Sequence, residues 1–391
     1  MSNKRSSFDL APRKIPFHQP SIDERDIDAV TEVLRSGWIT SGPRTREFER
    51  EFAEHVGASH AVAVNSCTAA LHLALAGEDL GPGDEVITTP YTFIATVEAI
   101  CYLGARPVLV DIEPVTRNID PSAIEERITE RTKAIVPVHI AGLPCDMDPI
   151  LEIAERHGLA VIEDAAHSLP ASYKGRSIGS IGKATCFSFY ATKNLTTAEG
   201  GMVTTSNPEL AERYRRMSLH GIDKSGWKRY EFGGSWFYDV QEMGYKYNLT
   251  DMAAAIGLTQ LEKLDQFDRR RCEIADRYAR RLHGIEGLEL PHTLPDRHHA
   301  WHLYIIGVTG RCGSSRDELI QRLSEQGVAT SVHFIPVHYH SYYGRQLGYR
   351  RGEFPHAESA FQRAVSLPLY PAMADEDVDY VADAVRRILR A

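Results

Sequence analysis

The sequence predicts an α/β fold, with a parallel sheet covered by helices in a large first part and a smaller α+β unit after it. Three observations carry this. Between residues 61 and 205, seven short apolar, β-branched runs alternate with helical patterns, as strands covered on both faces do. From Asp251 to about Leu282 a helical pattern rich in Arg and Glu runs without a break, long enough to connect two units. A chain of 391 residues also exceeds what one hydrophobic core usually serves.

The candidate strands are AVAV (61–64), EVITT (85–89), PVLVD (107–111), KAIVPV (133–138), AVIE (160–163), ATCFSF (184–189) and GMVTT (201–205). Ligands of open α/β sheets bind beyond the carboxyl ends of the strands. Asn65–Thr68, Thr89–Phe93, Asp164–His167 and Ser188–Lys193 are therefore expected to meet in one pocket. Residues 206–250, rich in Gly, aromatics and charge, read as a functional loop. After the long helix, WHLYIIGV (301–308), SRDELIQRLSEQG (315–327), VATSVHF (328–334) and DEDVDYVADAVRRIL (375–389) suggest a small antiparallel sheet with helices on one face. The division expected is an N-terminal segment 1–25, a large domain 26–262 and a small C-terminal domain 263–391.

Composition narrows the function. Hydrophobic residues make up 43% and charged residues 25%, ordinary values for a globular protein. A net charge of -9 with interspersed signs argues against nucleic acid or an anionic membrane as partner. The six cysteines lie too far apart for a zinc knuckle or redox pair and read as reduced thiols. Neither a signal peptide nor a bilayer-length apolar run is present, so a cytoplasmic location is expected.

Four segments carry chemistry. In CFSFYATKNLTTAEGGMV (186–203), Lys193 stands in a turn after an apolar strand. Most lysines are simply solvated, but one buried at a strand end loses its charge more readily and gains the nucleophilic amine of Schiff-base chemistry. In AVIEDAAHS (160–168), Asp164 could merely cap a helix; alternatively, it could hold a cofactor's pyridine nitrogen protonated, with His167 beside it. In NSCTAALHLAL (65–75), Ser66, Cys67 and Thr68 open a helix whose N-terminal N–H groups suit a phosphate. Ser188 could add a hydroxyl to that phosphate. In TTPYTFIATVEAI (88–100), Phe93 could stack on a flat heterocycle, with core packing as the rival.

The motifs NSCTAAL, TPYTF, VPVHIAG, EDAAHS, SFYATKNLTTAEGG and YKYNLTD, in this order, resemble the DegT/DnrJ/EryC1/StrS sugar aminotransferases. The resemblance covers nearly the whole chain and implies fold type I, with a mostly parallel seven-stranded sheet and a smaller α+β C-terminal domain. It implies pyridoxal 5'-phosphate as cofactor, with pyridoxamine 5'-phosphate formed in turnover. Lys193 would be the Schiff-base lysine and Asp164 the partner of the pyridine nitrogen. His167 would lie by the ring, Phe93 would stack on it, and Cys67, Thr68 and Ser188 would hold the phosphate. Asn248 would reach the cofactor phosphate of a neighbouring subunit, which implies a homodimer with shared sites.

A lysine at position 193, where some relatives carry His and dehydrate the sugar, favours transamination. L-Glutamate is the expected amino donor, although no residue of the sequence identifies it. The turn ATKNLTTAEGGM looks like members that aminate C4 of a nucleotide-linked 4-keto sugar, and dTDP-4-keto-6-deoxyglucose is the preferred type. YKYNLTD, AWHL, HF and SLPL look instead like the enzyme making UDP-4-amino-4-deoxy-L-arabinose, and a 3-keto sugar is a further alternative. Trp38, Thr40, His220, Lys246, His333 and Tyr339 are the candidate substrate contacts. No metal site is expected, because the histidines at 298, 299, 302, 333, 338 and 340 lack a helix-borne HExxH or a nearby Cys pair. A lyase or decarboxylase on the same fold and a non-catalytic pyridoxal-phosphate-binding regulator are the rival functions.

Overall fold

The computed structural model describes residues 13–223 and 237–390. Helices α1 (Glu24–Ser36) and α2 (Pro43–Val56) precede the sheet. Asp23 and Asp26 form a capping box on α1, and Pro43 opens α2 at a position needing no N–H donor. Strand β1 (His60–Val64), helix α3 (Cys67–Ala76), β2 (Glu85–Thr88), α4 (Ala95–Tyr102), β3 (Arg106–Leu109), β4 (Thr132–Ile135), α5 (Met147–His157) and β5 (Ala160–Asp164) follow in order. A hairpin of β6 (Ser172–Tyr173) and β7 (Arg176–Ser177) then leads to β8 (Ala184–Ser188), β9 (Gly201–Thr205) and α6 (Pro208–Met217).

All seven expected strands enter one sheet, in the order β1-β9-β8-β5-β4-β2-β3. Strand β9 runs antiparallel to both neighbours, and the other pairings are parallel. Side chains of a strand alternate between faces, and here both faces are buried. Ile87, Val161, Phe187 and Met202 join Phe48 and Phe52 of α2 in one core cluster. Their sequence neighbours Val86, Ile162, Cys186 and Val203 join Leu71 and Leu73 of α3 in another. This two-sided burial is why the strands read as continuous apolar runs.

Helix α7 (Asp251–Leu282), capped by the Thr250 side chain, links the two parts. Its Ala254 and Leu264 pack under the large sheet, whereas Ile274, Ala275, Tyr278 and Leu282 belong to the second core. The boundary expected at 262/263 thus falls inside one continuous helix, and the one at 25/26 falls inside α1. The second core surrounds a three-stranded antiparallel sheet, ordered β10 (Leu288–Glu289), β12 (Tyr304–Val308) and β13 (Ala364–Leu367), with β11 (Arg297–His298) pairing to β6 instead. Helices α8 (Arg316–Glu325), α9 (Ser341–Leu347), α10 (Pro355–Arg363) and α11 (Asp375–Arg390) complete the chain.

Two expectations need correction. VATSVHF is not a strand: Val328 bridges Ile15, and Ser331 bridges Ser366. These partners lie on different segments, so no continuous ladder forms, and Ala364–Leu367 supplies the third strand. Residues 206–250 are not all loop, because Asn207 caps α6 and Pro208 occupies its first turn. The middle of that expected loop, 224–236, lies outside the described residues. No helix among the described residues is long and apolar enough to cross a membrane.

Candidate active site

The carboxyl ends of β1, β5 and β8 open on one cavity of about 420 Å³. Cys67, Thr68, Phe93, Asp164, His167, Ser188, Lys193 and His333 all line it, so the four strand-end segments do converge. Helix α3 begins at this wall. Ser66 caps it by accepting from Ala69 N at 3.1 Å, which leaves the first-turn N–H groups of Cys67 and Thr68 without helical acceptors. The helix approaches this closely because β9 starts with glycine: a Cβ at Gly201 would lie 2.5 Å from the backbone C and O of Ser66.

The Lys193 backbone N–H donates to Tyr190 O at 2.9 Å, closing the turn after β8. Burial lowers the pKa of its amine from 10.5 to about 8, while the charge of Asp164 opposes that shift. Asp164 is 5% exposed and accepts from Thr96 Oγ1 at 2.7 Å and Ala166 N at 3.1 Å. Burial raises its pKa, against the pull of these donors and of Lys193. Its neighbour Glu163 projects to the opposite face of β5, where it bonds His139, Gly182 N and Thr185. Strand alternation thus leaves Asp164 as the cavity's buried carboxylate; Glu199, which also lines it, is exposed. Cys67 is held as a thiol by burial, its pKa pushed well up.

His167 accepts from Ala141 N at its Nδ1, 3.3 Å away. Burial and the charge of Lys193 drive its pKa well below 6.5. Its ring stacks on Phe334 at 5.7 Å, and Phe334 in turn meets Phe93 at 6.2 Å. Phe93 itself is 59% exposed.

Among the lining residues that were not site candidates in the sequence are Phe17, His18 and His302. Phe17 stacks on His333 with centroids 5.6 Å apart, and His18 Nε2 contacts Ala191 O at 3.1 Å, two residues before the lysine. No local pattern marks them, because they reach the site from chain segments far from the strand ends. The remaining candidates lie elsewhere within one chain. Asn248 bridges Val64 and donates to Ser41 Oγ at 2.7 Å, and the Lys246 amine bonds its Oδ1. Trp38, 45% exposed, donates to Ser41 O at 3.1 Å. Thr40 and His220 are exposed, with Thr40 O accepting from Asp251 N and His220 N donating to Tyr245 O. Tyr339 donates to Glu358 at 2.8 Å.

The six histidines considered for a metal fall in different settings, with His340 N donating to Val337 O. His298 pairs with Asp268, His338 with Glu358, and His299 stacks on Trp301, whereas His302 and His333 face the cavity. Asp268, Cys272 and His298 bring ligand-type atoms within 4.8 Å of one another: His298 Nε2 bonds the Asp268 carboxylate, and Cys272 lies one turn beyond Asp268 on α7.

A desolvated lysine and a buried carboxylate at the strand ends of this sheet agree with a family match over residues 20–386. The chain belongs to the DegT/DnrJ/EryC1/StrS aminotransferase family. It is 53% identical over 392 residues to the spore coat polysaccharide biosynthesis protein SpsC of Bacillus subtilis, covering 100% of this chain and 99% of that protein. The putative sugar aminotransferase Spr1654 of Streptococcus pneumoniae, solved in its PLP and PMP forms, superimposes with a TM-score of 0.90 at 37% identity, over 96% of this chain and 98% of that one. Helicobacter pylori PseC, an aminotransferase of pseudoaminic acid biosynthesis, gives a TM-score of 0.90 at 30% identity, over 96% and 99%. The protein is a pyridoxal-phosphate-dependent sugar aminotransferase of fold type I.

Proposed function

We propose that the enzyme transfers an amino group from L-glutamate to C4 of a nucleotide-linked 4-keto sugar of the dTDP-4-keto-6-deoxyglucose type. The observation that carries the site assignment is the pairing, in one cavity, of an amine with pKa about 8 and a buried carboxylate. The residues present fit the cofactor. Lys193 would take its aldehyde and Asp164 its ring nitrogen. The first-turn N–H groups of Cys67 and Thr68, with the Ser188 hydroxyl, form an anion site for the phosphate. Phe93 and His167 would flank the ring. When bound, pyridoxal phosphate supplies an electron sink for the bond broken at the substrate carbon.

The chain's own groups do the rest. An amine with a pKa of about 8 is partly neutral near pH 7, so Lys193 Nζ can take a proton from the substrate carbon and return it. Asp164, held by Thr96 and Ala166, keeps a negative charge against the ring nitrogen. His167, with Nδ1 occupied as an acceptor, offers Nε2–H to an oxygen in the cavity.

We place Asn248 in the partner subunit's site, as the family resemblance implies. Its location with Trp38, Ser41 and Lys246, away from the cavity of its own chain, supports that assignment and the homodimer it requires. Trp38, Thr40, His220 and Lys246 are then substrate contacts made across the dimer, and His333 is one made within the chain. Tyr339 is kept as a substrate contact on sequence grounds alone.

The C4 preference rests on the turn ATKNLTTAEGGM, and a UDP-4-keto pentose is the second reading because AWHL and YKYNLTD favour it. The deciding experiment incubates the enzyme with L-glutamate and dTDP- and UDP-linked 4-keto and 3-keto sugars and identifies products by NMR. An amine at C4 of the dTDP hexose is expected. Amination at C3 alone would overturn the assignment.

A further inference from the structure

His302 stands beside His167 in the cavity wall, with ring centroids 4.4 Å apart and planes inclined at 37°. The two rings have opposite hydrogen-bonding polarity, and the polarity of each is fixed by its neighbours. For His167, the Ala141 N–H points at Nδ1, so the ring hydrogen sits on Nε2. For His302, Nδ1 faces Asn194 Oδ1 at 3.2 Å. The orientation of that amide is not free. Asn194 Nδ2 donates to Leu169 O at 2.9 Å and to Ala300 O at 2.7 Å, which spends both amide hydrogens and turns the oxygen toward the ring. An amide oxygen only accepts, so His302 carries its hydrogen on Nδ1 and leaves Nε2 as a bare lone pair.

A second proton on either ring is opposed by burial and by Lys193, and for His302 also by Arg271. The backbone holds His302 in place from both sides. Ala300 N donates to Gly142 O at 3.0 Å and Leu303 N to Ala141 O at 3.2 Å. Between them Trp301 adopts a left-handed φ of 45°, a conformation a bulky side chain takes only when its surroundings impose it. Those surroundings are visible: Trp301 stacks on His299 at 3.9 Å, donates its N–H to His299 Nδ1 at 2.9 Å, and its carbonyl accepts from the buried Arg271.

A bare nitrogen in a desolvated wall calls for a donor. Of the groups that enter this site, the carboxylates of an amino-acid donor, the sugar ketone and the phosphates are acceptors, and the donor's amino nitrogen is the atom handed over at the cofactor, which leaves the sugar hydroxyls as the free donors. We propose that His302 Nε2 accepts a hydrogen bond from a hydroxyl of the keto-sugar substrate, and that Asn194 is the positioning residue that keeps this nitrogen free of hydrogen. The inference rests on the reading of the cavity as a sugar site. It makes the sugar half-reaction, and not the glutamate half-reaction, depend on His302.

The test has two arms on the holoenzyme. In the first, selective ¹⁵N-histidine labelling reads the tautomers directly: hydrogen on Nε2 for His167 and on Nδ1 for His302, with Asn194→Ala releasing only the second. In the second arm, His302→Phe keeps the ring stacking and removes the acceptor. The expected result is a drop of about 10- to 100-fold in kcat/KM for the keto sugar, with the glutamate half-reaction unchanged and partial recovery in His302→Gln. A hydrogen on His302 Nε2, or equal losses in both half-reactions, overturns the proposal. If the wild-type enzyme aminates no sugar ketone, the functional reading fails, and the tautomer arm still decides the role of Asn194.

Discussion

Replacing Asp164 by Asn removes a charge with little change of shape. The side chain is 5% exposed and accepts from Thr96 Oγ1 and Ala166 N. An Asn amide can still accept from Ala166 N at Oδ1. Its Nδ2 can donate to Thr96 Oγ1, whose hydroxyl has Phe93 O at 3.2 Å as an alternative acceptor. The local fold therefore survives, and what is lost is the anion proposed to face the cofactor's ring nitrogen. Breaking one side of a buried charge pair costs roughly 3–5 kcal/mol, which corresponds to a rate loss of roughly 100- to several-thousand-fold. Single-turnover conversion of the bound cofactor by L-glutamate, followed by absorbance, measures this step alone. A variant within about threefold of wild type would refute the reasoning.

The same substitution has a stability signature of opposite sign. Burial raises the folded-state pKa of Asp164 above its unfolded value, so the folded apoprotein binds this proton more tightly than the unfolded chain does. The ionised group is then a penalty absent at low pH and growing as pH rises through the raised value. Apo Asp164→Asn should melt at or above the wild-type temperature at pH 7, with the gap closing toward pH 4. A large drop in melting temperature would mean that lost activity reflects unfolding.

Lys193 should titrate well below an ordinary lysine amine in the apoprotein. Competitive acylation across pH, read peptide by peptide, is expected to give a midpoint of about 8 at this position, and a midpoint near the ordinary 10.5 would contradict the burial argument. Gly201→Ala places a Cβ 2.5 Å from Ser66 C and O and 2.7 Å from Cys67 N. Backbone cannot yield cheaply there, so a loss of about 1–3 kcal/mol in stability is expected, together with weaker cofactor binding as the first turn of α3 is displaced. Unchanged melting and unchanged cofactor affinity would show that this contact is not what seats the helix.

The sequence made the large sheet legible because its strands are buried on both faces, so Val86–Ile87 or Ile162 with its neighbours read as short apolar runs between helices. Helix α7 was legible for a different reason: its helical pattern runs unbroken from Asp251 to Leu282. The segment 328–334 misled because alternating Val, Thr and Val imitate a strand, whereas its hydrogen-bond partners Ile15 and Ser366 lie on different segments. At the site, residues at strand ends could be found by topology alone, which accounts for Lys193, Asp164 and Ser188. Phe17, His18 and His302 could not, since they reach the cavity through packing of the N-terminal segment and the second unit against the sheet. Local sequence holds no record of such contacts. Asn194 is a related case: it reads as a turn residue, and its role in orienting His302 emerges only when two distant carbonyls are seen to claim its amide hydrogens.

Reduction of the cofactor-loaded enzyme with borohydride, followed by peptide mapping, asks most directly whether the amine at position 193 is the one that holds the vitamin. The account predicts a pyridoxyl mass on the peptide containing Lys193 and on no other lysine. A label confined to a different lysine, or protein that takes up no cofactor at all, would contradict it.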